Sequence, residues 1–198
     1  MKPYFQSTPF TCAASSLLAI LHHLKKEIPL TKDREFEIWK KTTNLPTRGS
    51  SIYALASYSK KQGLNPKVIV EKKEYSFPDY RFYRYTKEEI EHASFSELQY
   101  LKNLKRNKIE IEEREITIED IKKELKTNPI ILRLNTKPIR QEKKNTSNYI
   151  VVQSFIDNYY QIFDPSLGGL SIPNETMIEA FNSLETKKRR DHRMIIFS

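Results

Sequence analysis

The chain has 198 residues, a formal net charge of +9 and a mean hydropathy of −0.65. This length suits a single domain over residues 1–198, and we expect neither a signal peptide, since no apolar run follows a basic start, nor a membrane span of roughly 18 apolar residues. Its single cysteine excludes an intramolecular disulfide and a multi-cysteine zinc site, so we expect a cytoplasmic, reducing location.

The N-terminal third predicts three helices. Apolar residues recur at helical spacing from Cys12 to about Lys26, and Thr11 is positioned as the N-cap. Further helices are predicted over 32–42 and 51–62. Cys12 would therefore lie in the first turn of the first helix.

The middle of the chain alternates between predicted strands and helices, with a polar stretch over 135–147 that predicts a loop. Apolar residues alternate with polar ones in some segments, which predicts strands, and recur at helical spacing in others, which predicts helices. These elements are predicted at 67–70, 108–116 and 130–134 for strands, and at 87–107 and 118–126 for helices.

A β-hairpin is the strongest prediction of the C-terminal part. Two strands over 149–155 and 159–163 flank a tight turn at 157–158. A helix over 174–183 and a last strand over 194–197 follow. Because helices come first and an antiparallel sheet comes later, the pattern predicts an α+β fold.

Cys12 is the candidate nucleophile of this sequence. In the first turn of a helix, unpaired N–H groups and the positive end of the macrodipole favour a thiolate, so this position can lower the thiol pKa. The same N–H groups can bind an oxyanion, and the side-chain amide of Gln6 is a suitable second donor. A lone cysteine in an apolar helix is, however, more often a small buried core residue.

The stretch from Gln6 to Cys12, with five residues between them, resembles a known family when it is taken with the later NYIVVQSFIDNYYQIFDPSLGG. The sequence is similar to the papain-like cysteine peptidases of family C39, which trim double-glycine leaders from bacteriocin precursors, and to their stand-alone cytoplasmic relatives. Trp39 and RGSSIYALASYSKKQG also fit the stand-alone branch. The resemblance covers most of residues 4–182. It implies a papain-like fold in which an N-terminal helical half packs against an antiparallel β-sheet.

The resemblance also implies site residues. In that family a histidine begins the first hairpin strand, and an aspartate followed by proline ends the second. Asn148 takes the place of the histidine here, and Asp164 follows it by 16 residues. The resemblance therefore implies Gln6 as oxyanion donor, Cys12 as nucleophile and Asp164 as the orienting residue, with no general base. Loss of a general base typically costs about 10²–10⁴ in rate.

Other histidines are the alternatives for that base. His22 and His23 lie about 15 Å further along the Cys12 helix, at 1.5 Å per residue, which excludes them. His92 falls in a predicted surface helix. His192 heads the last predicted strand and stays open as a substitute.

Three functions follow from these residues. The first is hydrolysis of peptide bonds by the Cys12 thiolate, and the alternative is a catalytically inactive peptidase-fold module that binds a peptide or protein partner. Nucleic-acid binding is the third and is disfavoured, because most lysines alternate with glutamates. Only the aromatic and basic segment 80–87 and the basic cluster 187–190 support it. No phosphate, dinucleotide or zinc motif occurs, so we expect no cofactor.

Overall fold

The computed structural model describes residues 1–75, 85–184 and 190–198. Its N-terminal part consists of helices and one small β-ribbon, in the order α1 (Cys12–Leu24), α2 (Lys32–Thr42), β1 (Thr43–Asn44), β2 (Gly49–Ser50) and α3 (Ile52–Lys61). Side-chain caps define the starts of two helices. Thr31 accepts a hydrogen bond from the N–H of Arg34 ahead of α2, and Ser51 accepts one from Tyr53 at α3.

The rest of the chain supplies most of the strands. The elements are β3 (Pro66–Val70), α4 (Lys87–Arg106), β4 (Glu110–Glu113), α5 (Ile118–Glu124), β5 (Ile130–Asn135), α6 (Lys137–Arg140), β6 (Ser147–Ile156), β7 (Tyr159–Asp164), β8 (Gly168–Pro173), α7 (Asn174–Asn182) and β9 (Arg193–Phe197). Reciprocal capping boxes begin α4 at Thr86 with Glu89, and α5 at Thr117 with Asp120. The helices predicted from periodicity are therefore present.

Seven of the strands form one sheet in the order β4-β3-β9-β5-β6-β7-β8. Only the pair of β3 and β4 is parallel, and the other neighbours are antiparallel. The predicted hairpin is confirmed as β6 and β7. Its turn residues, Asp157 and Asn158, both have positive φ values of 51° and 65°, the conformation that a two-residue hairpin turn needs.

The sheet lies between two layers of helices. Because successive side chains along a strand point to opposite sides, each strand contributes side chains to both faces of the sheet. Val68, Val151 and Phe163 pack with α1, α3 and α4 on one face, whereas Ile69 and Val152 pack with α5 and α7 on the other. α1 is apolar around most of its circumference and is buried from Ala13 to Leu21, as expected of a central helix. The predicted α+β fold, with a helical half led by the Cys12 helix against an antiparallel-rich sheet, is confirmed.

Three short elements differ from the sequence prediction. α6 falls in the span 135–147 that was expected to be a loop, because a four-residue helix is too short to show periodicity. The ribbon of β1 and β2 is absent from the sequence prediction because each of its strands has only two residues, too few to show an alternating pattern. β8 exists through pairing with β7 over six residues, a tertiary contact that its glycines and polar residues do not announce.

Two basic segments of interest fall mostly outside the described residues, at 80–84 and 187–189. Among the described residues, no helix combines the length and apolar character needed to cross a bilayer.

Candidate active site

The fold brings Cys12 against the start of β6. The Oγ of Ser16 donates a 2.8 Å hydrogen bond to the carbonyl of Tyr149, which joins the first turns of α1 to this strand. The Sγ of Cys12 then lies 3.1 Å from one terminal atom of the Asn148 amide, although the two residues are 136 positions apart. The predicted juxtaposition of Cys12 and Asn148 is therefore present in the structure.

The orientation of the Asn148 amide follows from its other neighbours. One terminal atom lies 3.2 Å from Thr136 Oγ1 and 3.1 Å from Arg140 Nη1. Because arginine can only donate, this atom is assigned as the oxygen, and it accepts from both groups. The amide nitrogen then donates to the carbonyl of Ser147 at 3.2 Å and faces the Cys12 sulfur. Neither terminal atom of an amide takes up a thiol proton at neutral pH.

The Cys12 thiol is kept neutral by its surroundings. Burial raises the pKa of Cys12, while the backbone N–H groups of Tyr149 and Ala13 and the nearby charge of Arg140 act in the opposite direction without outweighing it. The lowering of the thiol pKa that a position in the first turn of a helix permits is therefore not realised. The reason is that desolvation of the sulfur between α1 and β6 exceeds the stabilisation of a thiolate by the helix N-terminus.

Asp164 is paired with Arg140 and not with Asn148. Arg140 Nε donates to Oδ2 at 2.9 Å and Nη2 donates to Oδ1 at 3.0 Å, a bidentate pair with a fully buried carboxylate. The N–H groups of Ser166 and Leu167 also donate to Oδ1, at 2.7 and 3.2 Å. The side chains therefore form a chain from Cys12 through Asn148 and Arg140 to Asp164.

Sequence reasoning missed Arg140. It lies on α6, in a polar span where no motif distinguished it from the neighbouring lysines and arginines. The only signal available was the charge of a buried Asp164, which requires a cation or several donors near it. The tertiary fold decides which basic residue supplies that cation, because it places α6 next to the end of β7.

Gln6 belongs to a segment that the buried Glu35 holds in place. Tyr4 donates to Glu35 Oε2 at 3.0 Å, and the N–H of Ser7 donates to Oε1 at 2.9 Å. The backbone N–H of Gln6 donates to the carbonyl of Pro165 at 2.8 Å, next to Asp164. Its side-chain Oε1 is buried and has no hydrogen-bond partner within the described part of the chain. Its role as oxyanion donor stays a prediction.

His192 serves a different part of the molecule. Its ring nitrogens lie 2.6 Å from Glu71 Oε1 and 2.9 Å from the carbonyl of Phe181, and its ring stacks on Phe181 at 3.7 Å between centroids. These contacts hold the imidazole between β3, α7 and β9. His22 is also engaged elsewhere, with Nδ1 2.8 Å from the carbonyl of Ile28.

A cavity of about 610 Å³ opens beside Cys12. Its walls come from the loop before α1, the ribbon of β1 and β2, the start of α3, and the adjoining ends of β5, β6 and β9. This volume is in the range of pockets that bind small molecules or several residues of a peptide. Gln6 is not one of the described residues that line this cavity.

Part of the cavity wall is an ion-pair cluster of Arg133, Asp191, Arg193 and Glu97. Arg193, only 2 % exposed, donates to both Asp191 oxygens at 2.9 and 3.0 Å and to Glu97 at 3.2 Å. Arg133 donates to Asp191 Oδ1 at 2.9 Å. Burial raises the pKa of Glu97, although the charge of Arg193 opposes it. Burial acts to lower the pKa of Arg193, but the neighbouring charges of Asp191 and Glu97 help to outweigh it and raise that pKa. Three segments of the chain meet in this cluster.

Within residues 1–75, 85–184 and 190–198, no group of three His, Cys, Asp or Glu side chains is placed to hold a metal ion.

Comparison with known proteins identifies similar chains. Residues 1–190 match the family described as the Peptidase_C39 like family. The structure is similar to a double glycine motif protease from an AMS/PCAT transporter, solved in complex with the leader peptide. Its TM-score is 0.50 at 16 % identity, covering 100 % of this chain and 97 % of that chain. A second similar structure is the peptidase domain of Streptococcus ComA, a bi-functional ABC transporter involved in a quorum sensing pathway. Here the TM-score is 0.48 at 14 % identity, with 100 % and 97 % covered. No curated protein matches the sequence.

Proposed function

The chain belongs to the Peptidase_C39 like family, and from this premise we propose that it binds a peptide or protein partner in the cavity beside Cys12 without cleaving a peptide bond. The proposal separates two properties of a cysteine peptidase. The peptide-binding cleft depends on the fold, whereas the chemistry depends on a thiolate and a base.

The observation that carries the proposal is the 3.1 Å contact between Cys12 Sγ and the Asn148 amide. Nucleophilic catalysis by cysteine requires a group that removes the thiol proton and later protonates the leaving amine. An amide does neither at neutral pH. The group that would orient a base, Asp164, is occupied by the bidentate pair with Arg140.

A peptide is the ligand class best supported. The similar double glycine motif protease was solved in complex with the leader peptide, which supports a peptide as the ligand class of the present chain. In the present chain the cavity reaches both the Cys12 helix and the first hairpin strand, and aromatic and cationic side chains line it. Such a surface can contact both the apolar and the polar groups of a peptide.

The first test is the pH dependence of Cys12 alkylation by iodoacetamide, with the urea-unfolded chain as reference. Because burial raises the thiol pKa, the thiolate fraction at pH 7 is below that of a free cysteine. The alkylation rate of the folded protein should increase only above the ordinary thiol value of 9.0. Rapid alkylation near pH 6 would instead show an activated thiolate and contradict the proposal.

The second test measures peptide binding in the absence of the sulfur. Fluorescein-labelled random dodecapeptides should bind wild type and Cys12→Ala equally, and neither protein should cleave them. Gly49→Trp should block binding, because Gly49 lines the cavity with no atom closer than 4.0 Å to an added Cβ. Gly169→Trp is the matched control, since that position is equally open and lies outside the cavity lining. Equal effects of the two substitutions would contradict binding in this cavity.

The second candidate is hydrolysis by Cys12. Its support is that the backbone N–H groups of Tyr149 and Ala13 lie close enough to Cys12 to act against the rise of its pKa, and donors in that position can also stabilise an oxyanion. A peptidyl vinyl sulfone distinguishes the candidates. It should label Cys12 rapidly in a peptidase, and no faster than iodoacetamide does in a binding module.

A further inference from the structure

We infer that the cavity beside Cys12 receives a peptide segment with a carboxylate side chain, and that Arg48 at its rim binds this carboxylate. The inference rests on the proposed peptide-binding function and adds the class of residue that the peptide contains. It is drawn from the charges around the cavity and from the surroundings of Arg48.

The described lining of the cavity is rich in arginine. Four arginines line it, namely Arg48, Arg133, Arg190 and Arg193, against the single carboxylate of Glu97. When Asp191, which pairs with two of these arginines, is included, Arg48, Arg133 and Arg193 carry three positive charges against the two negative charges of Glu97 and Asp191. A cleft with an excess of one charge concentrates its field and attracts ligands of the opposite charge.

The buried cluster shows how this cavity wall already binds a carboxylate. Asp191 lies between Arg133 and Arg193, with N–O distances of 2.9 to 3.0 Å to both guanidinium groups. Guanidinium groups suit carboxylates because their N–H donors match the spacing of two oxygens. These arginines are therefore satisfied, and the ligand must be bound by an arginine outside the cluster.

Arg48 meets that requirement. It is exposed, lines the cavity and has no ion-pair partner among the described residues. Its guanidinium lies 5.4 Å from the centre of the Phe10 ring, and its carbonyl accepts a 3.1 Å hydrogen bond from Trp39 Nε1. The backbone is thus held by Trp39 and the guanidinium is placed over Phe10, while its N–H donors make no ion pair within the described part of the chain.

The test uses pools of fluorescein-labelled dodecapeptides, random except for a central Glu, Gln or Lys and amidated at the C-terminus. Binding is measured by fluorescence anisotropy. The Glu pool should bind wild type about fivefold more tightly than the Gln pool, the upper end for an exposed ion pair. The Lys pool should bind more weakly than either.

Two matched substitutions assign the preference to Arg48. Arg48→Asn removes the charge at a residue with a φ of 61°, which asparagine tolerates, and should abolish the preference for Glu. Lys108→Asn removes the same charge at an exposed residue with a φ of 52° that does not line the cavity, and should leave the preference intact. Equal losses in the two variants would show that the net charge of +9 causes the preference, and would overturn the inference.

The remaining outcomes separate this inference from the function on which it rests. Equal binding of the Glu and Gln pools would overturn the inference and leave peptide binding standing. A preference that appears only when the peptide C-terminus is a free acid would also overturn it, because the recognised group would be the terminal carboxylate. No binding by any pool would overturn the inference together with the proposed function.

Discussion

At the scale of single residues, the partner of Asp164 determines what the residues around Cys12 can do. Arg140 occupies both carboxylate oxygens and also donates to the Asn148 oxygen. The asparagine at position 148 and the pairing of the buried Asp164 with Arg140 are mutually consistent, since Arg140 donates to the amide oxygen and supplies the cation that the carboxylate needs. The arrangement therefore reads as a stable polar network in its own right.

Removing Arg140 should destabilise the protein strongly. Arg140→Gln leaves the fully buried carboxylate of Asp164 without its cation, and breaking such a pair typically costs about 3–5 kcal/mol. Urea denaturation monitored by circular dichroism measures the difference. Lys143→Gln, an exposed residue three positions away, should change the free energy of unfolding by less than about 0.5 kcal/mol. A similar small effect at Arg140 would show that the pair is dispensable.

A histidine at position 148 should not by itself activate Cys12. In Asn148→His the imidazole would face the Arg140 guanidinium, which disfavours its protonated form, and Asp164 would still be held by Arg140. The double variant Asn148→His/Arg140→Gln frees Asp164 to accept from the imidazole. We expect its alkylation rate at pH 6 to exceed that of the single variant by about tenfold, the effect of one pKa unit. Equal rates in the two variants would show that Arg140 does not suppress a base at this position.

At the scale of elements, the site depends on the position of the loop that joins the end of β7 to the start of β8. β7 ends at Asp164, and β8 begins at Gly168 in a conformation with a φ of 87°. The ring of Phe5 lies against Gly168, and the backbone N–H of Gln6 donates a hydrogen bond to the carbonyl of Pro165. The N-terminal segment therefore packs on the loop that also presents Asp164 to Arg140.

Gly168→Ala should destabilise this loop. The added Cβ would lie 3.0 Å from Phe5 Cζ, in a left-handed conformation that costs an alanine about 1–2 kcal/mol. Gly169→Ala is the neighbouring control, because an added Cβ there meets nothing within 4 Å. Urea denaturation measures the free energy of unfolding of both variants, and we expect the lower value for Gly168→Ala. Equal values would exclude strain at Gly168.

At the scale of the whole molecule, β9 joins parts of the chain that are far apart in sequence. It lies between β3 and β5 in the sheet, and the residues at its start contact α4, α7 and the end of β3. His192 and Glu71 form one of these connections, through a side-chain contact of 2.6 Å and a backbone hydrogen bond of 2.8 Å. This packing explains the position of His192.

The connection predicts a contribution to acid sensitivity. Burial acts to raise the pKa of Glu71, but the hydrogen bonds from His192 outweigh it and lower the pKa. A carboxyl whose folded pKa is depressed stabilises the fold above its unfolded value, here the ordinary 4.5, and this stabilisation is lost as the pH falls through the folded value. Wild type should therefore lose more of its unfolding free energy below pH 5 than Glu71→Gln does. Glu91→Gln, exposed on α4, serves as the control and should follow wild type.

The sequence by itself determined the long helices, the hairpin, the α+β class and the pairing of Cys12 with Asn148 in one site. These rest on local signals, namely helical periodicity, capping residues and turn chemistry, together with a family spacing that places two motifs in one cleft. Only the tertiary structure decided that Arg140 binds Asp164, that the Cys12 thiol is desolvated and that His192 lies with Glu71. Each of these depends on which distant side chain lies in a buried position, and local sequence patterns do not predict such long-range contacts.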